Sequence, residues 1–495
     1  MFQKMLFNIK WIEKNKKIFK KIYRGIERET IRIDKNGNFS KKKHPESLGC
    51  SLNHKWITTD FSENLIELIT PKKININCLK NFLEDLHIYT IKNLNKETLW
   101  PLSIPPKYPK NKKEVKIAKY GNSKIGKKKE LYRLGLKNRY GTYKNIISGI
   151  HYNFSLSKEF WKKYNKNNEI DKNTISDGYM HIIRNYYRFG FLITYLFGSS
   201  PYISKKIIKK NSQIKKFNFI KKKDILYSNW STSLRVSKFG SSANEIQKKI
   251  NLKFDSLNEY IKKVKKALNT QDKNFKKIKN KNKKLQINSN IIQLENELYI
   301  QIRPKRNTKK HETQLDALKN KGIEYIEIRS LDINPFSFSG IKKYQILFLD
   351  LFLIWCILTK SPKIKKREMK MIQKNWETIC IQGKKPGQKI YVNKKKESFI
   401  KIGIKIIKKL KKIAKILDLN TNLKEYQKSC EKIKKILKNK KLTYSSKILK
   451  IIKKFDIQKI GLKISKKYFE KNIKKKITRK NKIKLKMEKL RSIKK

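Results

Sequence analysis

Residues 24–33 read RGIERETIRI and place two carboxylates, Glu27 and Glu29, two positions apart in an apolar, β-branched run. If this run is a strand, both carboxylates lie on one face, because side chains alternate along a strand. Two adjacent carboxylates repel each other unless a metal ion or a shared proton lies between them. The spacing therefore predicts a strand whose polar face holds a cation or a proton.

Further segments with strand-like alternation carry one apolar face and one face with groups that could do chemistry. Their polar faces supply Glu67, His151, Asn153, Tyr299, Glu327 and Arg329. A sheet with one core face and one solvent face would account for any single strand. Together, however, these faces carry almost no Lys in a Lys-rich chain, and carboxylates with an imidazole suit Mg²⁺ or Mn²⁺ holding nucleotide phosphates. Asp60, in TTDFSE, is either a helix N-cap or a further ligand.

The elements that must position these residues mix without regular βαβ alternation, which favours an α+β fold on a mostly antiparallel sheet. The alternating runs predict strands at 26–33, 64–71, 148–156, 231–237, 285–293, 294–304 and 322–332. Helical spacing predicts helices at 1–20, 74–95, 178–198, 254–268 and 341–359, the last of them buried.

The sequence changes character near residue 400, where Ile, Leu and Lys recur at helical spacing. We therefore expect a catalytic domain over residues 1–395 and a helical, Lys-rich C-terminal region over 396–495. The near-repetitive end of the chain predicts a frayed, basic tail.

The chain has a formal net charge of +86, which suggests nucleic acid or an anionic membrane as a partner. The Lys residues are spread along the whole chain, whereas a binding surface would be localised, so we interpret the charge as compositional drift and expect no specific nucleic-acid partner. Five scattered cysteines without a C-x-x-C pair argue for the reducing cytoplasm. The longest apolar run, at 346–358, contains Asp350 and is short for a membrane span.

Several long motifs, in colinear order, strongly resemble the proteobacterial glutamate–cysteine ligases. The motifs are RGIERETIRI, HPESLG, HKWITTDFSENLIELITP, LYRLGLKNRYG, ISGIHYNFSL, RNYYRFG, LQINSNIIQLENELYIQIRPKR and GIEYIEIRSLDINPFS. The resemblance implies a curved antiparallel sheet related to that of glutamine synthetase, with metal and ATP at its concave face. It also implies ATP-dependent joining of the glutamate γ-carboxyl to the cysteine amine, the first step of glutathione synthesis, by a monomer that uses Mg²⁺ or Mn²⁺.

The resemblance also assigns roles to individual residues. The implied metal ligands are Glu27, Glu29, Asp60, Glu67, His151 and Glu327. Arg329 is expected at the transferring phosphoryl group, and the implied substrate-binding residues are Arg133, Asn153, Arg235, Ser241 and Tyr299. Arg133 would hold glutamate, while Arg235 and Tyr299 would hold the cysteine carboxylate. Ser241 stands where the family commonly has Tyr, which predicts weaker cysteine binding.

Three rival interpretations remain beside this one. The chain could be a related carboxylate–amine ligase that uses another amine, a basic nucleic-acid-binding protein, or a folded enzyme of this family that has become slow.

Overall fold

The computed structural model describes residues 9–109, 111–165, 170–208, 217–220, 224–240, 247, 250–280, 282–309, 311–392, 395–420 and 423–494. Its central element is a seven-stranded antiparallel sheet in the order β2-β3-β1-β5-β10-β9, with β4 paired to β1. The strands are β1 (Ile22–Ile33), β2 (Ile57–Thr59), β3 (Leu65–Ile69), β4 (Thr98–Leu99), β5 (Ile150–Leu156), β9 (Ile302–Lys305) and β10 (Tyr325–Leu331).

Two small antiparallel sheets lie outside this path. One contains β6 (Tyr202–Ser204), β7 (Asn218–Ile220) and β8 (Ile225–Tyr227), and the other contains β11 (Lys389–Val392) and β12 (Lys395–Ser398). Together with the helices, these sheets confirm the predicted α+β class.

The helices fall mainly after β5 and after β10. They are α1 (Ile9–Lys14), α2 (Ile76–Lys92), α3 (Lys124–Tyr140), α4 (Lys158–Tyr164), α5 (Lys172–Phe189), α6 (Phe191–Phe197), α7 (Leu257–Asn269), α8 (Lys273–Lys276), α9 (Gln314–Lys321), α10 (Lys343–Leu358), α11 (Lys366–Gln382), α12 (Phe399–Asp418), α13 (Glu425–Lys438), α14 (Tyr444–Lys454), α15 (Ile457–Ile473) and α16 (Arg479–Ile493). Among the described residues, no helix is both long and apolar enough to cross a bilayer.

Helix α10 lies in the core, as its apolar run predicts. Its one carboxylate, Asp350, is fully buried and forms an ion pair with Arg24 of β1, with Oδ2 and Nη2 2.7 Å apart. Tyr152 of β5 and Tyr426 of α13 donate hydrogen bonds to the same carboxylate. One buried side chain therefore ties together the sheet, the core helix and a C-terminal helix.

Two of the predicted strands are wrong, and a third is mostly so. Residues 231–237 and 285–293 form turns and loops, and within 294–304 only the beginning of β9 is a strand, since Glu295–Glu297 form a 3-10 helix. In residues 285–293 the backbone bonds to side chains: Gln293 Oε1 accepts a hydrogen bond from the Ile287 amide at 3.0 Å. Such local bonds replace the ladder that a strand would make.

Predicted helix 1–20 is confirmed only in part, since α1 is followed by a 3-10 helix at Lys16–Lys20 and residues 1–8 lie outside the described part. The expected frayed tail is wrong for residues 479–493, which form α16. Leu485 of this helix is fully buried in an apolar cluster with Ile57, Leu68 and Phe82. One hydrophobic cluster also contains both Ile390 and Phe399, from either side of residue 396, so the boundary there stays a prediction.

Candidate active site

The pairing register of the central strands brings the predicted carboxylates together. Glu27 of β1 lies directly opposite His151 of β5, and Glu29 lies directly opposite Glu67 of β3. Paired residues project from the same face of a sheet, as do residues two apart on one strand. The four side chains therefore form one polar cluster on the face away from α10.

The imidazole of His151 lies among three carboxylates. Its Nδ1 is 3.0 Å from Glu27 Oε2 and 3.3 Å from Glu327 Oε1, while its Nε2 is 3.6 Å from Glu29 Oε1. Ligand atoms of Glu27, Glu67 and His151 all lie within 4.8 Å of one another. Carboxylate oxygens and an imidazole nitrogen at this separation can converge on one divalent cation.

Burial and mutual repulsion shift the pKa values of two carboxyl groups in the cluster. Burial raises the pKa of Glu67 well above its ordinary value, and repulsion from Glu27, Asp60 and Glu29 raises it further. Burial likewise raises the pKa of Glu29. In both cases burial and repulsion outweigh the attraction of Arg329, so a metal ion bound here would stabilise the buried negative charge.

Arg329 lies at a β-bulge in β10, beside the cluster. This strand carries one more residue than β5 between Ile328 and Leu331, a bulge of the kind that redirects a side chain. Arg329 Nη1 donates to Glu327 Oε1 at 2.7 Å. Burial alone would raise the pKa of Glu327, but the charges of Arg329, Lys305, His151 and Arg303 together outweigh it and hold that pKa well below the ordinary value.

Asn153 contacts a predicted ligand: its Nδ2 donates to Glu27 Oε1 at 2.7 Å, and its Oδ1 is buried without a hydrogen-bond partner in the described part of the chain. Its expected contact with substrate stays a prediction.

The cluster forms one wall of a cavity of about 410 Å³. Asp60 lies at a more open position, with 44% of its side chain exposed, and its Oδ1 is 4.0 Å from Arg133 Nη2. The Arg133 guanidinium stacks 4.6 Å from the ring centre of Tyr120, whose hydroxyl donates to the Thr59 carbonyl. A cavity of this size is typical of small-molecule sites.

Arg235 lines the same cavity and is held from behind by a buried carboxylate. Its Nε donates to Asp332 Oδ1 at 3.0 Å, and Asp332 also accepts from the Ser233 hydroxyl and the Ser199 amide. This arrangement orients the guanidinium. The sequence analysis did not identify Asp332, because alternation along the predicted strand 322–332 assigns it to the face opposite Glu327 and Arg329.

Tyr299, as predicted, lines the cavity, and its hydroxyl donates to Asn145 Oδ1 at 3.0 Å. Lys129 and Tyr132 of α3, which the sequence analysis missed, also line it. Burial, together with Arg133, lowers the pKa of Lys129 to about 8. The only signal in the sequence was that Lys129 and Arg133 are four residues apart and so share a helix face.

Ser241 lies outside the described residues, and its proposed place near the cysteine carboxylate stays a prediction.

Comparison with known proteins gives one consistent family. Residues 9–379 match the family model described as glutamate-cysteine ligase. The chain is 52% identical to the glutamate–cysteine ligase of Buchnera aphidicola subsp. Acyrthosiphon pisum, covering 99% of this chain and 96% of that one. It is 42% identical to the enzyme of Serratia proteamaculans, covering 93% and 89% of the two chains.

A solved structure agrees with these relatives. The glutamate–cysteine ligase of Francisella tularensis, crystallised in complex with AMP, superposes with a TM-score of 0.89 at 31% identity, covering 96% of this chain and 93% of that one. The chain belongs to the glutamate–cysteine ligase family, whose ATP-dependent carbon–nitrogen bond formation is the first step of glutathione synthesis.

Proposed function

We propose that the cavity joins glutamate to cysteine through γ-glutamyl phosphate, with Mg²⁺ or Mn²⁺ held by the acidic cluster. The observation that carries this proposal is the convergence of the carboxylates on His151 beside Arg329. The residues proposed to hold metal are Glu27, Glu29, Asp60, Glu67, His151 and Glu327.

The residues fit a hard divalent cation. Burial and mutual repulsion raise the pKa values of Glu67 and Glu29, so the cluster is electrostatically incomplete. Oε2 of Glu327 is buried and has no hydrogen-bond partner in the described part of the chain. When bound, the metal would neutralise phosphate charge and align the phosphates of ATP for transfer.

In the first step, an oxygen of the glutamate γ-carboxylate attacks the γ-phosphorus of ATP, the bond to the bridging oxygen breaks, and ADP leaves. Transfer of this kind depends mainly on positioning and on stabilising charge on the phosphoryl oxygens. Arg329, anchored through Nη1 to Glu327, is the residue we assign to that stabilisation. Arg133, with Asn153, is proposed to hold glutamate.

In the second step, the cysteine amine attacks the γ-carbonyl carbon, a carbon–nitrogen bond forms, and phosphate leaves with both of the carbon–oxygen bond electrons. The amine loses a proton in the same step, and the departing phosphate accepts it. Arg235 and Tyr299 are proposed to hold the cysteine carboxylate, with Ser241 as a further contact. The oriented guanidinium of Arg235 supports this role, since Arg binds carboxylates well.

We also infer a monomeric, cytoplasmic enzyme without a specific nucleic-acid partner. The six proposed metal ligands of a single chain all line the cavity, which supports a site that one subunit can form. All five cysteines are free, which is typical of a reducing compartment.

A product assay tests the reaction. The full chain with glutamate, cysteine, ATP and Mg²⁺ should form γ-glutamylcysteine and one ADP per product, and chelation of the metal should abolish turnover. Replacing cysteine by other amines tests the rival ligase activity. Equal ATP hydrolysis with and without both amino acids would contradict the proposal.

A further inference from the structure

The opposite face of β1 carries a buried cation that has no counter-charge among the described residues. The Arg28 residue is 2% exposed, and to the described part of the chain its guanidinium donates through Nη1, to His87 Nε2 at 2.8 Å and to the Phe338 carbonyl. Its Nε is buried and unpartnered within the described residues. No carboxylate of the described chain lies within ion-pair distance of this guanidinium.

The two other arginines on this face of β1 each have the carboxylate partner that Arg28 lacks among the described residues. Arg24 and Arg32 lie four residues before and after Arg28. Arg24 pairs with Asp350 at 2.7 Å, and Arg32 pairs with Glu97 at 2.8 Å. Burying a cation is costly unless an opposite charge compensates it, and of these three only Arg28 has no such partner among the described residues.

The neighbouring histidine does not supply the charge. His87 Nδ1 lies 2.6 Å from the Leu83 carbonyl, which can only accept, so this nitrogen carries the proton. Nε2 then accepts from Arg28, which makes His87 a neutral partner. Since the Phe338 carbonyl is also neutral, the guanidinium keeps its full positive charge.

A small cavity adjoins this guanidinium. It has about 10 Å³ of free volume, room for one water-sized particle. Its wall includes Thr98 and Ser465, whose hydroxyl oxygens lie 2.7 Å apart, and the Ser465 hydroxyl also donates to the Leu99 carbonyl at 2.9 Å. The remaining wall is largely apolar, including Leu99 and Phe469.

We propose that this cavity binds a single halide-sized monovalent anion that neutralises Arg28. The Arg28 guanidinium in the cavity wall suits an acceptor with negative charge, since its buried Nε has no partner among the described residues. A water molecule would satisfy hydrogen bonds but leave the buried charge. Oxyanions such as phosphate are too large for the free volume, and the apolar wall disfavours strongly hydrated ions. The ion lies behind the strand that carries Glu27 and Glu29.

Crystals of the full chain soaked in bromide provide the first test. Anomalous diffraction at the bromine edge should show a peak in contact with the Arg28 guanidinium inside this cavity. Bromides on the Lys-rich surface do not bear on the question. An empty cavity, or a water without anomalous signal, would overturn the proposal.

Thermal unfolding in solution provides the second test, with chloride compared with gluconate at equal ionic strength. Gluconate is too large for the cavity, so chloride should raise the melting temperature of the wild type more than gluconate does. Arg28→Met should lose this difference, whereas Arg367→Met, which removes the same charge from an exposed position, should keep it. An unchanged chloride effect in Arg28→Met would contradict the assignment. If that variant does not fold, the bromide experiment on the wild type decides.

Discussion

Glu67 is the carboxylate whose charge is most opposed by its surroundings, since burial and three neighbouring acids raise its pKa. Glu67→Gln should therefore weaken Mn²⁺ binding and lower kcat at least about 100-fold, because a phosphate-bridging metal contributes several kcal/mol. Removing the repelling charge should leave the free energy of unfolding of the metal-free protein unchanged or higher. Mn²⁺ titration by electron paramagnetic resonance, steady-state kinetics and urea unfolding measure the three quantities.

The matched control is Glu46→Gln, which neutralises an exposed carboxylate and should change none of them. Wild-type metal affinity in Glu67→Gln would remove this residue from the ligand set.

Asp332 is expected to act on substrate through Arg235. Asp332→Asn keeps the shape of the side chain but removes the charge that orients the guanidinium. The KM for cysteine should rise about tenfold, as expected for a weakened bond to a charged group, while the KM for glutamate stays constant. Varying each substrate in turn separates the two. An equal rise in both KM values would show that Asp332 supports the fold and not the cysteine site.

Alternation of side-chain types made much of this cluster predictable. Glu27, Glu29 and Glu327 lie at strand positions that two-residue periodicity assigns to a single face. Lys129 and Asp332 follow no such periodicity with the cluster, because Lys129 reaches the cavity from a helix and Asp332 lies behind Arg235, past the end of a strand. Their positions depend on tertiary packing, which one sequence does not reveal.

Helix α16 is expected to be a stable part of the fold. Leu485→Ala should lower the free energy of unfolding by about 2–5 kcal/mol, the usual cost of emptying a fully buried aliphatic site. Met487→Ala, two residues away and 65% exposed, should change it by less than about 0.5 kcal/mol. Urea unfolding compares the two variants. Equal, small effects would restore the expectation of a frayed tail.

The same helix shows why the prediction failed at the level of elements. Basic residues recur along the whole helix, and only Leu485, Glu488 and Ser492 are buried. Isolated buried residues of this kind can be recognised only when the surface against which the helix packs is known. The strands β1, β3, β5 and β10 were easier to predict, since each alternates over several residues. Residues 285–293 also alternate, but there the backbone bonds to nearby side chains.

Acid should destabilise the folded chain through its buried histidines. Burial lowers the pKa of His54 to about 4, of His181 to about 4 and of His44 to about 3. The unfolded chain, with pKa values near 6.5, takes up protons that the folded chain excludes. Each of these three histidines should thus lower the free energy of unfolding by about 1.4 kcal/mol per pH unit below pH 6.5, until its folded pKa is reached.

Urea unfolding at a series of pH values measures this slope. His54 Nδ1 accepts from the Trp56 and Ile57 amides, bonds that protonation would break. His54→Gln should therefore reduce the slope by about 1.4 kcal/mol per pH unit, and the same change at exposed His311 should not. A flat profile below pH 6.5 would contradict the account.

Acidic side chains are scarce in this chain, 39 against 125 basic ones, yet several of them converge on one cavity. That contrast is why we assign phosphoryl transfer to the cavity and regard the dispersed Lys residues as unrelated to catalysis.

The decisive measurement follows oxygen from glutamate to phosphate. Glutamate labelled with oxygen-18 in its γ-carboxylate is incubated with the full chain, cysteine, ATP and Mg²⁺, and the released phosphate is analysed by mass spectrometry. A γ-glutamyl phosphate intermediate requires that each phosphate carry one labelled oxygen. Unlabelled phosphate, formed together with γ-glutamylcysteine, would show that the reaction takes another route.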